Sequence, residues 1–415
     1  MQLLRKNPAI PESYRSNFLH LTLDILWWGI LNGTSISFIS VYLTRIGGSA
    51  FQLGLLAAAP AVVNILFALP IGSWLQNKDT GRITFLYAIY YRIFYMLLIS
   101  LPVLFIQKTQ AWVIILITVA MTLPGTVLQI GFNDMFANAV AVQWRGYVAG
   151  VRNAALAITS ILSSIFCGIV LSRVAFPLNY QIVFLAGFIG AALSTFHLGM
   201  VWRNLKQQAI ELTPTESAVL LPEIHWHTFL RDLRLPSGRK LVGLMWGLFF
   251  FNFALYLGIP VFPLYLVNEL KLDDIWISLG NGLFFATVFI VSSNLGSIHR
   301  KYGNKLVVAT GGFLMSLYPA FLSFSHNAVP YLIGISLGGF AWGLAGGLLY
   351  NYLLENIPEK NRSPYLALYN FLLYIAVLIG SLLGPAMIGW VGITTTLVVV
   401  SVARAISGYL IYRWG

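Results

Sequence analysis

Charge is what this chain has least of. Only 9% of its 415 residues are charged, against roughly 25% in an ordinary soluble domain. A surface so poor in charge cannot face water over most of its area, which excludes a soluble enzyme, a disordered chain and a coiled coil. Cysteine is nearly absent: Cys167 stands alone, which excludes an internal disulfide and a cysteine metal cluster. The six histidines, His20, His197, His225, His227, His299 and His326, show no metal-ligand spacing, so no metal site is expected. No phosphate-cradling glycine loop exists either, so neither ATP drive, a cofactor nor enzyme chemistry is expected. Acidic residues number 13 against 25 Lys and Arg, a net charge of +12. On a soluble protein that excess would point to nucleic acid. Here it concerns which side of a membrane carries the basic residues, and nucleic acid is not an expected partner.

What the chain has in abundance is apolar length, at 58% hydrophobic residues and a mean hydropathy of +0.79. Apolar runs lie at roughly 20–43, 51–74, 83–106, 112–142, 147–171 and 179–202, and again at 241–267, 275–298, 304–325, 330–354, 364–391 and 392–413. Each can cross a hydrocarbon core of about 30 Å as a helix. A backbone in lipid must satisfy its own hydrogen bonds, and the short alternating segments of a barrel are missing, so twelve transmembrane helices are predicted. Pro60, Pro70, Pro124, Pro260, Pro263 and Pro385 fall inside these runs and predict kinks rather than ends. The first run is too long for a cleavable signal and is expected to remain as span 1.

The chain divides into residues 1–202, a polar middle segment 203–240, and residues 241–415. In the middle segment Trp226, Phe229, Leu230 and Leu233 recur at helical spacing beside Arg231 and Arg234. An amphipathic helix is expected there, lying either on the membrane surface or against the bundle. With the N-terminus inside, 18 of the 25 basic residues fall on the inner side, four (Arg45, Lys108, Arg173 and Lys271) outside, and three within spans. Both termini are therefore expected in the cytoplasm. The two glycosylation sequons, at Asn32 and Asn361, lie in a span and on the inner side; the expected location is a bacterial inner membrane.

The two halves look related. One offset of 217 residues aligns Asp134 with Asn351, Arg145 with Arg362 and Asn153 with Asn370. The turn after span 2 carries Gly72, Gly81 and Arg82, and the turn after span 8 carries Gly296, Arg300, Lys301, Gly303 and Lys305. Duplicated six-helix halves are one way to build a transporter with its site between them.

In these features the whole chain resembles the major facilitator superfamily. The family's loop after span 2 has a Gly, three residues, an Asp, a basic residue, and a Gly before further basic residues. Gly296, Lys301, Gly303 and Lys305 match that spacing, with Arg300 in the Asp position. Gly72, Gly81 and Arg82 match with two extra residues. Gly380, Gly384, Pro385 and Gly389 in span 11 are similar to the glycine-proline motif that the family's antiporters carry in span 5. Close helix packing through small residues is the alternative reading. The resemblance implies two pseudo-symmetric six-helix halves and a monomeric transporter working by alternating access. It implies a central cavity lined by spans 1, 4, 7 and 10, hence by Asn32, Asn133, Asn252, Tyr256, Trp342, Tyr350 and Asn351. Arg82, Arg145, Arg300, Lys301, Lys305 and Arg362 would form the cytoplasmic gate loops.

Charges inside spans each cost about 2.5–3.5 kcal/mol on insertion scales and need a reason. Asp24, Arg92, Asp134, Arg152 and Arg404 stand out. Asp134 and Arg152 lie at similar depths, so a pair across the span 4–5 hairpin is expected, as a structural pair or a latch. Asp24, beside Trp27 and Trp28, is the better proton candidate, and Arg92 would either neutralise it or bind an anionic substrate group. Arg404 has no obvious acidic partner and is expected to snorkel, or else to line the cavity. The expected function is secondary transport of a small molecule, neutral or anionic, with protons and membrane lipids as further partners. The rivals are an uncoupled facilitator, a lipid translocase and a non-transporting sensor.

Overall fold

A computed structural model describes residues 12–75, 78–211, 236–358 and 362–415, and among them regular structure is entirely helical. Twelve helices are long and apolar enough to cross a membrane: α1 (Tyr14–Arg45), α2 (Ala50–Leu75), α3 (Thr80–Leu104), α4 (Gln107–Ala139), α5 (Val142–Arg173), α6 (Leu178–Gln207), α7 (Lys240–Glu269), α8 (Asp274–Tyr302), α9 (Asn304–Ser323), α10 (Ala328–Asn356), α11 (Pro364–Val391) and α12 (Ile393–Trp414). Each falls on one of the twelve apolar runs. The amphipathic helix expected around Trp226 and Leu233 lies outside the described residues.

Local chemistry sets the helix ends and breaks. Asp79 caps α3 by accepting from the Arg82 backbone N–H at 2.9 Å, and Asn327 caps α10 through the Val329 N–H at 3.0 Å. Pro60, Pro70, Pro124 and Pro385 are carried inside continuous helix, whereas α7 is interrupted at Ile259–Pro260 and resumes at Val261. α9 is interrupted at Met315–Ser316, three residues before Pro319. A π-helical turn lies in α1 at Asn32–Ile36 and another in α7 at Tyr265–Glu269. In the first, Ser37 Oγ donates to the Asn32 carbonyl at 2.7 Å, so the widened turn leaves that group satisfied.

The described residues form two compact units: 12–39, 66–75 and 78–211 in one, and 40–65, 236–358 and 362–415 in the other. The first is centred on Leu21, Ala88, Met135, Val148, Leu198 and Val201. The second is centred on Leu248, Val308, Ala345, Leu348, Leu353 and Ile411. In the second unit the glycine-proline stretch of α11 packs hard on α7. A Cβ on Gly380 would stand 2.7 Å from the Phe253 carbonyl oxygen, and one on Gly384 would strike that of Leu257. The motif therefore acts here as a surface for close helix approach.

The same unit contains an ion pair that charge counting does not reveal. Arg45, at the end of α1, donates through Nη2 to Asp274 Oδ1 at 2.9 Å and to the Leu272 carbonyl at 2.5 Å. The pair is only partly exposed, at 27% and 12% of the two side chains. Asp274→Asn should lower stability by about 1–3 kcal/mol, the range for a charge-assisted hydrogen bond with partial burial. Thermal unfolding in detergent reads this, and an unchanged midpoint would show the contact to be idle.

Candidate functional site

Helices α1, α3, α5 and α6 of the first unit bring one carboxylate and two guanidinium groups together in its interior. On α1, residues 20, 21, 24 and 28 share a face, because 3.6 residues make a turn. Asp24 on that face is 3% exposed, Arg92 of α3 5%, and Arg152 of α5 8%. Arg152 Nη1 lies 3.2 Å from Asp24 Oδ2 and also donates to the Leu21 carbonyl. Arg92 Nη2 lies 3.7 Å from Asp24 Oδ1, and Ser194 Oγ of α6 donates to that same oxygen at 2.5 Å. Arg92 Nη1 donates to Thr195 Oγ1 at 2.8 Å.

Aromatic faces hold the two cations. The Arg92 guanidinium stands 5.2 Å from the Trp28 ring centroid, and that of Arg152 stands 4.8 Å from Phe132. Such contacts recover part of what each cation loses on leaving water. The triad still carries a net charge of +1, and Arg92 Nε is buried with no hydrogen-bond partner among the described residues. The cluster can therefore take one more acceptor of negative charge.

One turn before Asp24, His20 Nδ1 meets His197 Nδ1 of α6 at 2.9 Å. Both rings are half-buried. One nitrogen must donate and the other accept, so the bond exists only while at least one facing nitrogen is bare. With Asp24–Ser194 it makes two adjacent polar rungs between α1 and α6. Ser194, Thr195, His20 and His197 were not singled out by sequence spacing within a helix. The available signal was the pairing of His20 with Asp24 at i, i+4 and of Ser194 with His197 at i, i+3.

The expected Asp134–Arg152 pair does not form. Asp134 is exposed and accepts from Thr80 Oγ1 at 2.5 Å and from Asn138 Nδ2 at 3.2 Å, while Arg152 turns inward to Asp24. The depths along the two helices are similar, but the faces differ. Arg404 does not snorkel. It is 4% exposed and donates to the carbonyls of Ala254 (3.4 Å), Met315 (3.3 Å) and Leu255 (3.1 Å), with its guanidinium 5.1 Å from the Phe262 centroid. The reason lies in the helix breaks. The residue four after Met315 is Pro319, which has no N–H, and the one four after Leu255 is Ile259 in the interruption of α7. Arg404 supplies donors that those helices lack.

The remaining polar positions are dispersed. Asn32 Nδ2 donates to Ser160 Oγ of α5 at 3.1 Å, and buried Asn252 donates to the Leu248 carbonyl at 2.8 Å. Tyr256 and Trp342 are half-buried, and Asn133, Tyr350 and Asn351 are exposed. Arg145 folds back onto the carbonyls of Val140 and Ala137, capping the end of α4. Gly72 is half-buried and Gly81 is buried against Trp202, while Arg82, Gly296, Arg300 and Lys301 are exposed. Gly303 ends α8 at φ +76°, a backbone state that favours glycine, and Lys305 reaches the ring of Tyr412 at 5.8 Å. Arg362 opens its helix, and its side chain lies outside the described residues. Among the described residues no three metal-ligating side chains converge.

Comparison with known proteins identifies the family and the fold. The model of the family described as Major Facilitator Superfamily matches residues 25–381. Comparison with curated protein sequences gives no significant match. Solved structures share the fold. The nucleoside transporter NupG, as a point mutant, is 11% identical, with a TM-score of 0.67 over 96% of this chain and 99% of its own. A bacterial homologue of the human lysosomal transporter Spinster, in an inward-facing and unoccupied conformation, is 14% identical, with a TM-score of 0.68 over 98% of each chain.

Proposed function

The chain belongs to the major facilitator superfamily, and on that footing we propose that it is a proton-coupled secondary transporter of a small neutral or anionic molecule. It works as a monomer in a bacterial inner membrane with both termini in the cytoplasm. Its halves, 1–202 and 241–415, alternate access to a central site. The observation that carries the coupling is Asp24, held between Arg92 and Arg152 in an apolar interior. A proton on Asp24 removes the charge that both guanidinium groups face, so it enters together with an anion that replaces that charge at Arg92. An anion that reaches Arg92 competes with Asp24 for the same cation, and a protonated Asp24 no longer competes. Proton and anion therefore favour each other's binding, and the linkage is reciprocal. The half-buried histidine pair one turn away gives the proton a route to the carboxylate.

The test begins with a thermal-shift screen of small organic anions and neutral amphiphiles, since a bound ligand raises the melting temperature by mass action. The best stabiliser is then followed into proteoliposomes. Its uptake should saturate and should respond to an imposed pH gradient. Saturable uptake that ignores the gradient would favour an uncoupled facilitator, and binding without flux would favour a sensor.

The histidine pair makes its own prediction. Protonation of both rings in acid would set two N–H groups face to face and break the rung. Its stabilisation is present at neutral pH and is lost as the pH falls. Wild-type protein should lose about 1 kcal/mol between pH 7 and pH 5 that a His20→Phe/His197→Phe variant does not lose. Parallel pH profiles of thermal unfolding would contradict this role.

A further inference from the structure

A groove of about 540 Å³ runs between α3 and α6, lined by Phe85 and Ile89 on one side and by Thr195, Phe196, Gly199 and Met200 on the other. Phe196 and Ile89 are 58% and 39% exposed, so the groove opens outward through apolar side chains. At one end stand Trp202, Arg203 and Lys206. The level of that end in the membrane is fixed by a hydrogen bond. Trp202 Nε1 donates to Asp79 Oδ2 at 3.2 Å, and Asp79 is the residue that caps the start of α3. Trp202 therefore sits where α3 enters the bilayer, at the depth indole rings favour. Its ring is fixed against Phe85, with centroids 5.6 Å apart and planes 20° from parallel.

The dimensions match one leaflet. From Ala192 to Trp202 the α6 backbone rises about 15 Å at 1.5 Å per residue, half of a hydrocarbon core of about 30 Å. Arg203 and Lys206 lie beyond that stretch, at headgroup level. Both are exposed, and neither is ion-paired among the described residues. Asp79 adjoins this end, and both its oxygens are engaged, by the Arg82 N–H and the Trp202 indole. The surface is thus an apolar channel one leaflet deep that ends in two cations with no ion pair among the described residues.

We propose that this groove is a binding site for one anionic membrane phospholipid. An acyl chain would lie along Phe85, Ile89, Phe196 and Met200, with the phosphate between Arg203 and Lys206. The site is independent of the transported substrate, yet it reaches the charge cluster. Thr195, at its inner end, accepts the hydrogen bond from Arg92. Occupancy of the groove is therefore expected to bias the cluster and, with it, the rate of transport.

Native mass spectrometry of the purified full chain tests this, with phosphatidylglycerol and phosphatidylcholine as probes. Two basic side chains at a membrane surface should favour the anionic lipid by about thirtyfold. Arg203→Gln/Lys206→Gln should reduce phosphatidylglycerol retention to the phosphatidylcholine level, and Arg300→Gln/Lys301→Gln should leave it unchanged. Ala192→Trp, which fills the groove from an exposed position without touching the cations, should displace the lipid. Glycerol phosphate, a headgroup without chains, should not compete. Retention that survives both the double variant at Arg203 and Lys206 and Ala192→Trp, equal retention of the two lipids, or displacement by glycerol phosphate would each overturn the proposal.

Discussion

Replacing Asp24 by asparagine should destabilise the protein by about 3–5 kcal/mol, the range for leaving a buried charge without its partner. Arg92 and Arg152 would then face each other across a neutral amide in an interior where Asp24 is 3% exposed. Asparagine can still accept from Ser194, so the loss isolates the charge rather than the hydrogen bond. A second change separates a general packing role from an electrostatic one. Asp24→Asn/Arg152→Gln removes one orphaned cation together with the anion and should recover part of the stability, so the two substitutions will not add. Equal or greater damage in the double variant would mean that Arg152 matters through Leu21 and Phe132 rather than through charge. Thermal unfolding of the three proteins in one detergent decides between these outcomes.

Arg404→Met should be nearly as damaging, at about 3–5 kcal/mol, for a different reason. No carboxylate faces Arg404 among the described residues; its three acceptors are backbone carbonyls at or near the interruptions of α7 and α9. A buried carbonyl left without a donor costs about 1–3 kcal/mol, and Met donates nothing. Arg404→Lys should recover less than half of the loss. A single ammonium on a flexible stem cannot span Ala254, Leu255 and Met315 as a planar fork does. Ser401 Oγ donates to the Ser316 carbonyl in the same α9 break, at 2.9 Å. Ser401→Ala should therefore add its own smaller cost of about 1 kcal/mol. A lysine variant as stable as the wild type would show that Arg404 serves only as a charge.

These two residues show where reading the sequence succeeds and where it stops. Run length and hydropathy located all twelve spans, because a backbone in lipid has few alternatives to helix. They also identified the buried charges, since a charge in an apolar run has no other explanation as strong. The Arg92–Asp24 pair is one of the two arrangements the sequence offers for Arg92. Arg152 went to Asp24 rather than to Asp134 because depth along a helix can be counted, whereas the face a side chain presents depends on packing rotations of tens of degrees. His20 and His197 are 177 positions apart, and no spacing rule within one helix joins them. Arg404 reads as a snorkelling residue because the sequence offers it no acidic partner; Pro319, which leaves the Met315 carbonyl without its usual donor, is the clue to its place. The Arg45–Asp274 pair is hidden because Arg45 reads as a topology signal and its partner lies 229 positions away.

The central claim is that Asp24 and its two arginines couple a proton to the transported molecule. The most direct measurement is uptake of the best stabilising compound into proteoliposomes under an imposed pH gradient, with wild-type and Asp24→Asn protein reconstituted at equal folded amounts. Wild-type uptake should rise with the gradient and fall when the gradient is collapsed, and the variant should lose the gradient-driven component entirely. A folded Asp24→Asn protein that still concentrates the compound in response to the gradient would contradict the account.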